Sequence, residues 1–146
     1  MKIKEVPQDK DGFLQEGKVR DLCYAVDDDG NYKQVLSIGW NPKNEAMKLA
    51  LELVEERVEE TKQAVIIGKM SPLAYFMEKN IMDIKLLSQY TNIPKRKIRK
   101  HLNPRTFFTL KSSVLEQYAK VFNLSVSNLL DIEFIKNIDS IKNEIQ

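Results

Sequence analysis

Apolar positions recur along this chain with two different periods, and the change of period marks its organisation. From about Val19, Leu22, Tyr24 and Val26 alternate with Asp21, Cys23 and Ala25, the two-residue period of a strand. Asp27-Asp28-Asp29-Gly30-Asn31 then supplies turn chemistry, and Tyr32 to Trp40 forms a second β-rich run. Asp29-Gly30 or Gly30-Asn31 can take the positive φ angles of a tight turn, so the stretch predicts a β-hairpin. From Asn41 the period becomes helical. Met47, Leu51, Val54, Val58 and Val65 fall on one face, Leu49 and Leu53 widen that stripe toward the hairpin, and Gly68 ends it. Asn41-Pro42 has the chemistry of a helix start, a capping side chain followed by a proline whose missing N–H costs nothing. An isolated hairpin is marginal, so the long helix is expected to cover it or to pair across a two-fold axis. The first dozen residues, with Pro7 and the Asp9-Lys10-Asp11-Gly12 cluster, show no period and read as a loose arm.

The second half is denser in helix signals. Ser71-Pro72 caps a helix from Leu73 to about Ile81, with Leu73, Phe76, Met77 and Ile81 on one face. Asp83 caps a short helix from Ile84 to Tyr90. Thr91-Asn92-Ile93 follows, and Pro94 opens a third helix that runs to about Leu102. Two short helices crossing at a wide angle need a small residue at their contact, a turn residue tolerant of the left-handed conformation and an apolar residue inside the second helix. Ser88, Asn92 and Ile98 meet these needs, with Leu87 and Ile93 packing around them.

Composition narrows the class. With 42% apolar and 30% charged residues, 146 residues suffice for a small globular domain and an accessory unit. The longest apolar runs, such as Ala64 to Ile67, are far below the roughly 18 residues that span a bilayer, and Met1-Lys2-Ile3-Lys4-Glu5 has no signal-peptide pattern. A single cysteine, Cys23, allows no internal disulfide, so a cytoplasmic protein without membrane contact is expected. The net charge of +2 conceals an asymmetry. Lys85, Lys95, Arg96, Lys97, Arg99, Lys100, Arg105 and Lys111 lie between Ile84 and Leu115 with no Asp or Glu among them, while all 21 acidic residues lie elsewhere. An acidic body with one basic patch is the footprint of a protein that docks on a polyanion.

The stretch from about Ser71 to Ile132 resembles the lambda-repressor-like, or Xre-type, helix-turn-helix family. Leu86-Leu87-Ser88-Gln89-Tyr90-Thr91-Asn92-Ile93-Pro94-Lys95-Arg96-Lys97-Ile98 is similar to that family's paired helices, and Leu115 to Leu130 to its fourth and fifth helices. Asn92 and Asn123 stand where Gly is usual, and Asn103 to Leu110 is a longer, more apolar link than most members have. The fold class expected is therefore α+β, mostly α: an arm, hairpin and long acidic helix over 1–68 as an accessory or oligomerising unit, a five-helix domain over 69–134, and a helical tail over 135–146 with Ile138, Ile141 and Ile145 at helical spacing. The resemblance implies a prokaryotic or phage transcriptional regulator that binds double-stranded DNA, with a homodimer suited to a palindromic site.

Burying Ile98 and Leu102 frees the opposite side of the third helix. Lys95, Arg96, Arg99 and Lys100 are expected in or beside the major groove and Lys97 nearer its edge, with Arg96 and Arg99 reading bases and the lysines positioning phosphates. Lys85, Arg105 and Lys111 are expected as flanking phosphate contacts, and His101 at the edge of the helix or touching phosphate. The alternative is an antitoxin-like interaction module, with a protein partner on the N-terminal unit.

No catalytic, cofactor or metal site is expected. His101 has no local carboxylate to orient it as a general base. Asp27-Asp28-Asp29-Gly30 lacks the closing Glu of a calcium loop, since Ile38 falls at that place. Gln63 and Met70 occupy the positions where a phosphate loop around Gly68-Lys69 needs glycine and a hydroxyl. Cys23 has no neighbouring His in sequence.

Overall fold

The amino-terminal segment is tied to the hairpin by hydrogen bonds. The computed structural model describes residues 1–9 and 20–143; Lys10, Asp11, Gly12, Val19 and Ile145, singled out above, lie outside the described residues. Strands β1 (Asp21–Val26) and β2 (Tyr32–Ser37) pair antiparallel, with Cys23 opposite Val35. The connecting turn is organised by Asp27, whose carboxylate accepts the amides of Asp29 (3.0 Å) and Asn31 (2.8 Å), and Gly30 takes the positive φ expected of it, +85°. These amides and the Lys33 ammonium hold the Asp27 carboxyl below its ordinary range.

The expectation of a loose arm is corrected for residues 1–9. Lys2 bridges to Val26 and Gln8 to Gly39 in parallel fashion. The Gln8 amide group substitutes for a strand: its Nε2 donates to the Leu36 carbonyl (2.8 Å) and its Oε1 accepts from the Ile38 amide (3.1 Å). The Asn41 backbone N–H donates to the Asp9 carboxylate at 2.8 Å. The cap at the start of the long helix thus comes from a residue remote in sequence.

Helix α1 (Asn41–Ile66) has the predicted extent. Asn44 is buried and Met47 half-buried, whereas Leu49 and Leu53 are exposed, so those two leucines do not extend a stripe onto the hairpin. The hairpin buries Ala25 and Ser37, and its other face exposes Leu22, Tyr24, Tyr32 and Leu36. Lys43 pairs with Asp21. The chain divides inside α1 into two compact units, Met1–Leu53 and Val54–Gln146, so Val58 and Val65 belong with the helical core rather than with the hairpin.

That second unit contains α2 (Pro72–Lys79), α3 (Ile84–Thr91), α4 (Lys95–His101), α5 (Pro104–Phe107), α6 (Ser112–Val121), α7 (Val126–Leu130) and α8 (Ile132–Asn143). The long apolar link contains a helical turn, capped by Asn103 accepting the Arg105 amide (2.9 Å), and it drives Phe107 fully into the core. Leu73, Tyr75, Leu87, Ile98, Tyr118, Leu129 and Ile135 are likewise fully buried. The predicted C-terminal helix is present as α8, and Ile135 and Ile138 pack it on this same core. Among the described residues no helix is long and apolar enough to cross a membrane.

Candidate nucleic-acid interface

The basic residues are arranged by a short helix pinned through its apolar side. Helix α3 ends at Asn92, which takes the left-handed conformation (φ 55°, ψ 16°) that its short polar side chain tolerates. Three hydrogen bonds lock this turn: the Ser88 hydroxyl donates to the Ile93 carbonyl (2.7 Å), the Thr91 hydroxyl donates to the Leu87 carbonyl (2.7 Å), and the Ile93 amide donates back to Thr91 Oγ1 (3.3 Å). Ser88, Asn92, Leu87 and Ile93 thus occupy the roles their residue types predict. Thr91 is an addition; a hydroxyl one residue before a left-handed Asn is its only sequence signal. Pro94 then fixes the entry to α4, and its carbonyl accepts the amides of Lys97 (2.8 Å) and Ile98 (3.1 Å).

Ile98 is fully buried and Leu102 half-buried, as their spacing predicts. His101 is corrected. It is 8% exposed and faces the core, where its Nδ1 and the Tyr118 hydroxyl share a 2.7 Å hydrogen bond and the rings meet edge to face. Burial, and secondarily the charge of Lys97, holds the imidazole below its ordinary value; burial raises the Tyr118 hydroxyl. Tyr118 lies one and a half helices downstream, beyond the reach of local pattern reading. The same end of α4 is held to α2 by Ser71, whose hydroxyl donates to the His101 carbonyl (2.8 Å) and whose amide donates to the Leu102 carbonyl (3.0 Å).

With one side of α4 committed to the core, 3.6 residues per turn set the rest. Arg96 and Lys100 point opposite Ile98. Lys95 and Arg99 flank them on one side and Lys97 on the other. All five are exposed, as are Lys85 on α3, Arg105 on α5 and Lys111 at the cap of α6. Among the described residues none of the eight is in an ion pair, in contrast to Lys33, Lys43 and Arg57, which each pair with an acid. Lys85, Lys95 and Arg99 border one cavity, and Lys97 and Lys100 border a second with Asn92 and His101. Among the described residues no group of three or more His, Cys, Asp and Glu could hold a metal ion. Compared with protein-family models, curated proteins and solved structures, the chain gives no match.

Proposed function

We propose that the chain binds double-stranded DNA through the exposed side of α4, as a helix-turn-helix regulator of lambda-repressor-like kind acting in the cytoplasm without catalysis. The observation that carries this reading is the pairing of a buried Ile98 with five exposed cations on one seven-residue helix, none engaged by a carboxylate among the described residues. A solvated helix face normally mixes both signs; a face of one sign raises the local potential and attracts phosphate. Arg96 is best placed to read a base edge, being farthest from the core, with Lys100 beside it. Lys95, Lys97 and Arg99 track the phosphates, and Lys85, Arg105 and Lys111 widen the footprint.

Affinity for random duplex DNA at several salt concentrations tests this. Neutralising six phosphates, one for each of Lys85, Lys95, Lys97, Arg99, Arg105 and Lys111, gives a log–log slope of about −5.4. The slope should flatten to about −3.6 when Lys95, Arg96, Arg99 and Lys100 are all changed to Ala, since two of the six phosphate contacts are then lost. Duplex affinity that is absent, or unchanged in that variant, rejects the assignment.

A second reading, protein interaction through the N-terminal unit, is favoured by one observation: Leu22, Tyr24, Tyr32 and Leu36 form an exposed apolar face on the hairpin. A homodimer or an antitoxin-like complex would cover it. Leu22→Lys with Leu36→Lys would then abolish association while leaving the salt slope intact.

A further inference from the structure

Helix α4 borders a cavity of about 480 Å³ whose walls are all drawn from the second unit. Met70, Met77 and Met82 form much of its apolar surface, and Lys85, Lys95 and Arg99 bring three cations to it. We propose that this cavity binds a small amphipathic carboxylate, its alkyl or aryl body among the methionines and its carboxylate held by Lys85, Lys95 and Arg99.

Size and lining suit such a ligand. Sites for small molecules are concave, mostly apolar and a few hundred Å³ in volume, with a few polar groups that fix orientation. Methionine is unbranched and polarizable, and adapts to varied apolar shapes. The charge balance selects the head group. Two acids also line the cavity, and both are engaged: Glu78 pairs with Arg57 at 3.9 Å, and Asp83 caps α3 by accepting the Leu86 amide at 2.6 Å. Asp83 keeps its negative charge while capping the helix, but Lys85, Lys95 and Arg99, which have no ion-pair partner among the described residues, outweigh it, so the lining is net positive. A cationic ligand meets repulsion there. A bare inorganic anion leaves the methionines wet, and a neutral hydrocarbon leaves the cations uncompensated. Arg99 offers a planar fork that matches a carboxylate.

Lys95 and Arg99 also belong to the proposed DNA face. A carboxylate bound between them removes charge from that face, so ligand and DNA compete; this consequence rests on the DNA-binding reading, whereas the site itself does not. Binding by one ligand lowers affinity for the other reciprocally.

The full chain, labelled at its methionine methyl groups, is titrated with octanoate, with 1-octanol and with acetate in the absence of DNA. Octanoate is expected to shift the Met70, Met77 and Met82 signals saturably. Octanol, lacking the charge, should bind at least about tenfold more weakly, and acetate should leave the methyl signals in place. Thr61→Trp, which fills the cavity from the half-exposed side of α1, should abolish the octanoate shifts. Unshifted methyl signals at about millimolar octanoate, or octanol binding as tightly as octanoate, would overturn the site. Because these titrations contain no DNA, they stand or fall apart from the DNA reading. With duplex present, octanoate should weaken binding by the unmodified chain and not by Thr61→Trp; equal duplex affinity with and without bound octanoate would overturn the competition.

Discussion

Ile81 is a β-branched residue at φ 50°, a conformation in which its Cβ crowds the following carbonyl. It ends α2 in a motif that Gly normally serves: the Ile81 amide donates to the Glu78 carbonyl (3.0 Å) and the Met82 amide to the Met77 carbonyl (2.9 Å). Asn123 closes α6 through the same pair of bonds and tolerates the geometry, φ 54°, because its side chain is short and polar. Ile81 is 62% exposed, so its side chain gives little burial in return. Ile81→Asn should therefore raise stability by roughly 1 kcal/mol in chemical denaturation, while Asn92→Val should lower it by about 1–2 kcal/mol; a loss of stability in Ile81→Asn would show that the side chain has a packing role that outweighs the strain. The two asparagine turns were legible because Asn between helical patterns marks a left-handed residue. Ile81 was not, since an isoleucine at helical spacing reads as one more core position. His101 was hidden for another reason: its partner Tyr118 is remote in sequence, and adjacency to a basic run pointed to the surface. Its burial has a pH consequence. The folded imidazole lies below its ordinary 6.5, so the unfolded chain takes up the proton more readily. Stability from the neutral imidazole is complete above the unfolded value and is lost as pH falls through the lowered folded value. Thermal melts taken from about pH 7 to about pH 5 should show this fall, and His101→Gln should remove that part of it.

At the scale of elements, what matters is how α4 is held. Its N-terminal end is fixed by Pro94 and the hydroxyl-locked turn, its middle by Ile98, and its C-terminal end by Ser71 and Tyr118. Ser71 is fully buried, so its hydroxyl bond to the His101 carbonyl has no water to replace it. Ser71→Ala should cost about 1–3 kcal/mol, the range for stranding a buried acceptor. Because α4 carries the proposed DNA face, the same change should also weaken duplex binding with the salt slope unaltered, since no cation is lost. A variant as stable as the parent would indicate that the Ser71 amide alone clamps the helix. The sequence pattern located Ser71 as the start of α2 but assigned it a capping role; its hydroxyl instead goes to a residue brought close only by the fold. The hairpin shows a related limit. Alternation located both strands, yet Leu22, Tyr24 and Leu36 on one face compete with Cys23, Ala25 and Val35 on the other. The arm meets the second face through the Ser37 hydroxyl, which bonds the Pro7 carbonyl at 2.5 Å, while Gln8 bonds the main chain of Leu36 and Ile38; an arm without periodicity announces no such contact.

Across the whole molecule, apolar burial is unevenly shared. The core cluster, from Val65 to Ile135, lies wholly in the second unit, whereas the described residues of Met1–Leu53 bury only Val6 and Ala25 among apolar side chains. Each buried aliphatic or aromatic side chain contributes roughly 1.5–3 kcal/mol, so the two units cannot have comparable resistance to opening. The hairpin relies on backbone pairing, the Gln8 bonds and ion pairs such as Lys33 with Asp27, all of which water can replace at modest cost. Local opening should therefore begin in the first unit, well below the free energy of global unfolding. Amide exchange followed residue by residue should find β1 and β2 losing protection at least about tenfold faster than α2, α3 and α6, a difference of about 1.4 kcal/mol. Within α1 the protection should rise past Leu53, because Val54, Val58 and Val65 lie beyond the division while Leu49, Leu51 and Leu53 remain exposed. Uniform protection along α1 and the hairpin would mean that the units open together, and that burial within each does not set its stability. If a partner covers the face formed by Leu22, Tyr24, Tyr32 and Leu36, its addition should slow exchange in β1 and β2 selectively. Duplex DNA should instead protect α3 and α4, separating the two proposed surfaces in one measurement.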